Sequence, residues 1–322
     1  MEARSFQAEN SAPANKAAKE KIMRQARSRC SPGLQSCALI LILLGLSCPG
    51  RGEDSGGRGN PEHPSAARVS PSKLPAVWVS LPGVVDGLTC YALEWKPEKP
   101  TGRAVILLWG GWNNSVSEVY DYPPGYALVQ ELYDSGYLVL GLDQRGTARH
   151  GTSYHQLVDI GNDEVSDVIS AVWWLKTESA LEFLALVGVS HGGSLALRAA
   201  EEFTIQGIPV DAVWVFAPIT DYQAWMDWSC ERATRHCRLL KPWRPEQRFQ
   251  GSPIHYYQAH TFAVFLVHGT KDTTVPVSQS RAWLEVDSGA TLLEQPVDHL
   301  FMVNKISITR GLEWLNRIAS PK

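Results

Sequence analysis

Phe183-Leu184-Ala185-Leu186-Val187-Gly188-Val189-Ser190-His191-Gly192-Gly193-Ser194-Leu195-Ala196-Leu197-Arg198-Ala199-Ala200 decides how the rest of the chain is read. An apolar run enters the pentamer G-x-S-x-G, and a segment of helix-forming residues leaves it. A serine between a strand and a helix sits in a sharp turn with its hydroxyl exposed, and flanking glycines let the backbones approach closely. The spacing therefore makes Ser190 a candidate nucleophile; a serine that only caps a helix is the alternative.

Outward from this stretch, short apolar runs recur at Ala104–Trp109, Tyr137–Leu142, Ala212–Ala217, Phe262–Val267 and Thr291–Gln295. Helical spacing lies between them, at Gly125–Asp134, Glu164–Thr177, Ser190–Glu202, Val277–Val286 and Ile306–Ile318. Two further strands, Val77–Leu81 and Leu88–Trp95, flank a turn at 82–87 and predict an antiparallel hairpin. The alternation predicts an α/β fold with a mostly parallel central sheet, helices on both faces, and chemistry at the carboxyl ends of the strands. Residues 221–260 break the rhythm with five Arg, Cys230, Cys237 and scattered aromatics, and are read as a lid insertion.

A serine hydroxyl needs a base, and the base needs an orienting acid. Asp272 ends the segment Phe262–Lys271, and His299 follows the last strand in Pro296-Val297-Asp298-His299. Both fall in the chain order Ser, Asp, His, making Ser190, Asp272 and His299 the candidate triad. A turn-forming role for Asp272 and a surface-loop role for His299 are the alternatives. An oxyanion hole requires two backbone N–H donors. His191, next to the nucleophile, is one candidate; Gly111 in Trp109-Gly110-Gly111-Trp112 is the other, with Gly110 as the alternative. Trp112, Trp225 and Trp228 are candidate walls of a substrate pocket, with plain packing as the alternative reading.

With these residues in place, 76–322 resembles an α/β-hydrolase, and within that superfamily the catalytic domain of the prolyl oligopeptidase family of serine peptidases. The resemblance is carried by Asp143-Gln144-Arg145-Gly146, Asp167–Leu175, the Ser190 turn, Ser252-Pro253-Ile254 with Tyr256, and His268-Gly269-Thr270-Lys271-Asp272 with Val275-Pro276. It implies a serine hydrolase acting on a small ester or peptide through an acyl-enzyme, with no metal or other cofactor. A catalytically idle binding module and an acyltransferase are the alternatives. The sequence departs from the family at Trp109, where relatives carry His. With only a linker and an apolar segment before Ala76 in this sequence, the β-propeller that filters substrates in full-length members is expected to be absent.

That apolar segment, Ala38–Leu46, is too short to cross a bilayer as a helix but fits a secretory signal behind Arg24, Arg27 and Arg29. Residues 1–48 are thus expected to direct export, with Met23 as an alternative start. Cleavage, an uncleaved anchor, or membrane attachment through a lipid on Cys48 are the outcomes. Residues 49–75, with five Gly, five Pro and four Ser, read as a linker, and export would favour a Cys230–Cys237 disulfide in the lid.

Composition supplies the exclusions. At 44% hydrophobic and 20% charged residues the composition rules out a wholly disordered, collagen-like or purely coiled-coil chain. Residues 1–48 carry seven Lys/Arg against three Glu, which leaves −7 on the other 274 and argues against a nucleic-acid partner. Neither paired C-x-x-C spacing nor H-E-x-x-H occurs, so no metal site is expected. Oligomeric state is not legible.

Overall fold

The computed structural model describes residues 74–111, 113–155, 163–178, 180–258 and 260–320. The apolar segment, the linker to residue 73, Cys48 and Trp112 lie outside the described residues. Packing reaches back to Leu74, within the stretch read as linker: its N–H donates to Tyr126 Oη and its side chain joins the core.

Eight strands form one sheet: β1 (Val77–Leu81), β2 (Cys90–Trp95), β3 (Arg103–Leu108), β4 (Leu138–Asp143), β5 (Phe183–Val189), β6 (Ala212–Phe216), β7 (Ala263–Gly269) and β8 (Thr291–Gln295). Their order is β1-β2-β4-β3-β5-β6-β7-β8. The first two pairings are antiparallel and the remainder parallel. This is the α/β-hydrolase fold. The helices are α1 (Pro123–Asp134), α2 (Asp163–Glu178), α3 (His191–Gln206), α4 (Tyr222–Glu231), α5 (Arg235–Leu240), α6 (Pro245–Gly251), α7 (Ser278–Val286) and α8 (Lys305–Ala319).

Alternate strand residues feed two cores, one on each face. Ala104, Ile106 and Leu108 of β3 pack with residues of α2, α3 and α7; Val105 and Leu107 pack with α1 and α8. Burial on both faces explains why β3 to β7 read as near-continuous apolar runs. Two tryptophans lie flat on glycines. A Cβ on Gly311 would come within 2.0 Å of the Trp214 ring, and one on Gly125 within 2.4 Å of Trp109.

Element ends differ from the sequence expectation for local reasons. Leu88 stays in the turn because its N–H donates to Asp86 Oδ1, so β2 starts at Cys90. Ala217, at φ 40°, ends β6 one residue early. The α3 helix runs four residues beyond expectation until Gly207, at φ 69°, donates to Phe203 O and Thr204 O.

On the buried side of α3, Glu201 is fully buried, and its Oε1 has no hydrogen-bond partner. Burial raises its pKa to about 8, with the Asp287 field adding to it and the Gln258 N–H and Arg198 opposing. The native state therefore holds a proton that the unfolded chain releases, and stability falls as pH rises from the ordinary glutamate range to about 8. Glu201→Gln should melt above the wild type at pH 8, by on the order of 2 kcal/mol, with the gap closing at pH 4. Thermal melts across that range check it; an equal gap at both pH values would contradict it.

Candidate active site

The parallel strands end together, and the turn from neighbour to neighbour reverses between β3 and β5, where open α/β sheets place their ligands. Ser190 follows β5 at that point, with φ 57° and ψ −122°, a conformation that L residues rarely adopt. It is held there by its N–H to Phe216 O (2.8 Å) and by the Gly193 and Ser194 N–H groups on its carbonyl. The flanking glycines are required by contact. A Cβ at Gly188 would meet Gly192 O at 2.3 Å, and one at Gly192 would meet Leu108 O at 2.2 Å.

The loop after β8 brings His299 over the serine. Nε2 lies 3.1 Å from Ser190 Oγ, and Nδ1 lies 2.7 Å from Asp272 Oδ2. A carboxylate accepts, so Nδ1 carries the proton and Nε2 is left to accept from the serine hydroxyl. Asp298 staples this loop to the one after β7, its Oδ1 accepting from Thr273 N and His299 N.

Asp272 is set more firmly than a turn residue needs. Its Oδ1 takes the N–H groups of Thr274 and Val275, both at 2.8 Å. Burial alone would raise its pKa, but bonding to His268 and His299, the charge of His299 and the Val275 N–H outweigh it and hold the carboxyl far below the usual range. His268, to which the sequence reading gave no part, lies with Nε2 3.5 Å from Asp272 Oδ2. That nitrogen donates to Val275 O (2.9 Å) while Nδ1 meets Ser280 Oγ (2.7 Å), which fixes the tautomer.

The oxyanion loop departs from expectation. Gly111 N–H donates to Asn114 Oδ1 at 2.8 Å, and Asn114 N–H returns to Gly111 O. Asn114 is held in turn by Glu118 Oε2 on its Nδ2 (2.6 Å). The chosen donor is thus already engaged by a side chain three residues on. Gly110, at φ 73°, is clamped to the serine turn by accepting from Gly192 N–H (3.0 Å). Trp109 packs against Tyr122, its ring filling the space over Gly125.

His191 opens α3, and its ring forms a buried anchor: Nδ1 lies 2.5 Å from Tyr222 Oη and Nε2 lies 3.1 Å from Glu164 Oε2. Burial pushes the Tyr222 hydroxyl far up, so it stays a neutral phenol. The residue after the nucleophile is thereby tied to α2 and to the lid.

The lid is α4 to α6 plus a 3₁₀ turn at Pro253–Tyr256. A Cys230–Cys237 disulfide joins α4 to α5 with a Cα separation of 4.7 Å. Trp225 is buried, lines the site, and donates from Nε1 to Thr274 O (2.8 Å), latching the lid to the Asp272 loop. Trp228 does not line the cavity. Its ring lies 4.7 Å from the Arg232 guanidinium, one helical turn on, so its expected wall role is corrected. The cavity of about 730 Å³ is bordered by Ser190, His299, Gly111, Trp225 and the lid residues Arg235 and His236. Among the described residues no cluster of metal-ligating side chains occurs, and no helix is long and apolar enough to cross a membrane.

Residues 125–291, just over half of the chain, match the model of the prolyl oligopeptidase family. The curated relatives include protein ABHD12B of Homo sapiens, 27% identical over 178 residues (51% of this chain, 45% of that protein). Esterase LipC of Mycobacterium tuberculosis is 25% identical over 212 residues (59% and 49%). The chain therefore spans about half the length of these relatives. Solved structures with the same fold include a puromycin-hydrolyzing peptidase of M. tuberculosis, with TM-score 0.61, 19% identity, and coverage of 77% of this chain and 39% of that one. An esterase of Pyrococcus furiosus aligns with TM-score 0.59 and 18% identity over 83% of this chain and 97% of its own.

Proposed function

The chain belongs to the prolyl oligopeptidase family of serine hydrolases, and from that premise we propose that it cleaves a small ester or short-peptide bond through an acyl-enzyme on Ser190. One observation carries the reading: a single imidazole bridges the strained serine and a buried aspartate, at 3.1 and 2.7 Å. Ser190 Oγ attacks the carbonyl as its proton passes to His299 Nε2, while Asp272 holds Nδ1–H and steadies the imidazolium that forms. The oxyanion is met by the His191 N–H and by the 110–111 loop, where Asn114 Oδ1 yields the Gly111 N–H to the stronger acceptor. His299 then protonates the leaving group, and water repeats the sequence on the acyl-enzyme.

Both an esterase and a peptidase stand among the similar proteins, so ester and amide cleavage remain the two forms of this reading. The lid disulfide and the basic, apolar residues near 24–46 support action after export. A second reading, an idle binding module, is favoured by the engaged Gly111 N–H alone.

A fluorophosphonate probe followed by a panel of 4-nitrophenyl esters and aminoacyl anilides tests the proposal. Covalent labelling of the folded chain with turnover of either substrate class supports it. A folded chain that takes no label overturns it in favour of the binding module.

A further inference from the structure

The lid brings to the cavity a charge, that of Arg235, which forms no ion pair among the described residues. Arg248 is consumed by Gln223 Oε1 and by the carbonyls of Leu240 and Trp243. Arg232 lies over the Trp228 ring and 3.6 Å from Glu231. Arg235 borders the cavity with no ion pair or side-chain hydrogen bond among the described residues. Next to it, His236 leans on the Trp225 ring, centroids 5.2 Å apart, with Nδ1 enclosed and unpartnered. An enclosed polar atom without a partner is costly, and the less costly tautomer leaves Nδ1 as a bare lone pair and Nε2 as the donor. Burial, Arg235 and His299 all lower the His236 pKa, which keeps the ring neutral near pH 7 and leaves the positive charge on Arg235.

The same cavity is also lined by two carboxylates, Glu118 and Asp121. Glu118 is committed to the Ser115 N–H and the Asn114 amide, while Asp121 is exposed at the end of the 3₁₀ turn Val116–Tyr120. The disulfide fixes the lid wall, since Cys237 immediately follows His236 and is bonded back to α4. A charge on a clamped element is placed in advance, so a ligand gains from it without ordering a loop.

We propose that Arg235, with His236 beside it, forms an anion subsite, and that the substrate carries a carboxylate close to its scissile bond. The subsite rests on the hydrolase reading for its role in turnover but not for its existence, and two measurements separate the two.

The first compares kcat/KM for anionic and neutral esters: mono-4-nitrophenyl glutarate against 4-nitrophenyl pentanoate on the acyl side, and 4-acetoxybenzoate against its methyl ester on the leaving side. One anionic member should be preferred about five- to tenfold, the size of a charged hydrogen bond discounted for an exposed arginine. The preference should shrink with added salt, vanish in Arg235→Gln, and survive in Arg238→Gln, which makes the same charge change on the same helix outside the cavity wall.

The second is calorimetry of Ser190→Ala with glutarate and with glutaramide. Glutarate alone should bind, and adding Arg235→Gln should abolish that binding. An anion preference that is absent or survives Arg235→Gln, or glutarate binding that ignores Arg235, overturns the subsite. Arg235-dependent binding with no fluorophosphonate labelling and no turnover of any ester or aminoacyl anilide keeps the subsite and removes the hydrolase reading.

Discussion

Ser190→Ala should lower kcat for 4-nitrophenyl esters by roughly 10⁴- to 10⁶-fold and abolish fluorophosphonate labelling. Among the described residues no second hydrogen-bond partner of His299 Nε2 replaces the oxygen that now sits 3.1 Å away. The substitution should leave the fold intact, because the turn is held by main-chain bonds from Ser190 N and to Ser190 O rather than by the hydroxyl. Alanine keeps the φ 57° strain, whereas Ser190→Gly relieves it and should melt about 1 kcal/mol higher with equally little activity. Serial kinetics and melts on the two variants therefore separate chemistry from strain. An alanine variant that turns over within tenfold of wild type would remove Ser190 from the mechanism.

The second large effect is expected from Asp272→Asn, a loss of about 10⁴-fold in kcat in a chain that still folds but is less stable near pH 7, since the fold favours the ionised carboxyl. The amide has only one comfortable orientation. Its oxygen must take the place of Oδ1, which accepts from Thr274 N and Val275 N at 2.8 Å, so its NH₂ falls where Oδ2 meets His299 Nδ1. A donor there forces the lone pair onto Nδ1 and the proton onto Nε2. The imidazole then faces Ser190 with a hydrogen and cannot take the hydroxyl proton. Binding of a non-hydrolysable ester analogue should be nearly unchanged, placing the loss in the chemical step; a matching loss of binding would mean that the Asp272 loop had moved instead.

The elbow was legible because three local signals coincide at one place: an apolar strand, two glycines that cannot carry a Cβ, and a helix-forming run. The convergence of Asp272 and His299 on Ser190 was legible through chain order, and the sheet through apolar runs that burial on both faces demands. Failures have a common cause. The Gly111 N–H is taken by Asn114 through a side-chain bond in a loop, and such a bond has no periodicity to betray it. The His191 side-chain anchor is not legible in the sequence because its partners, Glu164 and Tyr222, lie 27 and 31 residues away and become neighbours only in the fold. Trp228 was grouped with Trp225 by composition, but a three-residue step carries it around α4 to the Arg232 side. The short lid helices hid in an aromatic scatter whose apolar face is too brief to show a period.

The 109-residue separation of Ser190 and His299 has a meaning in time as well as in space. A ribosome adding roughly 5–20 residues per second makes His299 about 5–20 s after Ser190, and β6, the lid and β7 must be laid down in between. Throughout that interval the growing chain carries a poised serine turn with nothing to withdraw its proton. On the proposed mechanism, the nascent polypeptide stays silent until its final strand has been paired, and hydrolysis begins in one step with the finished sheet.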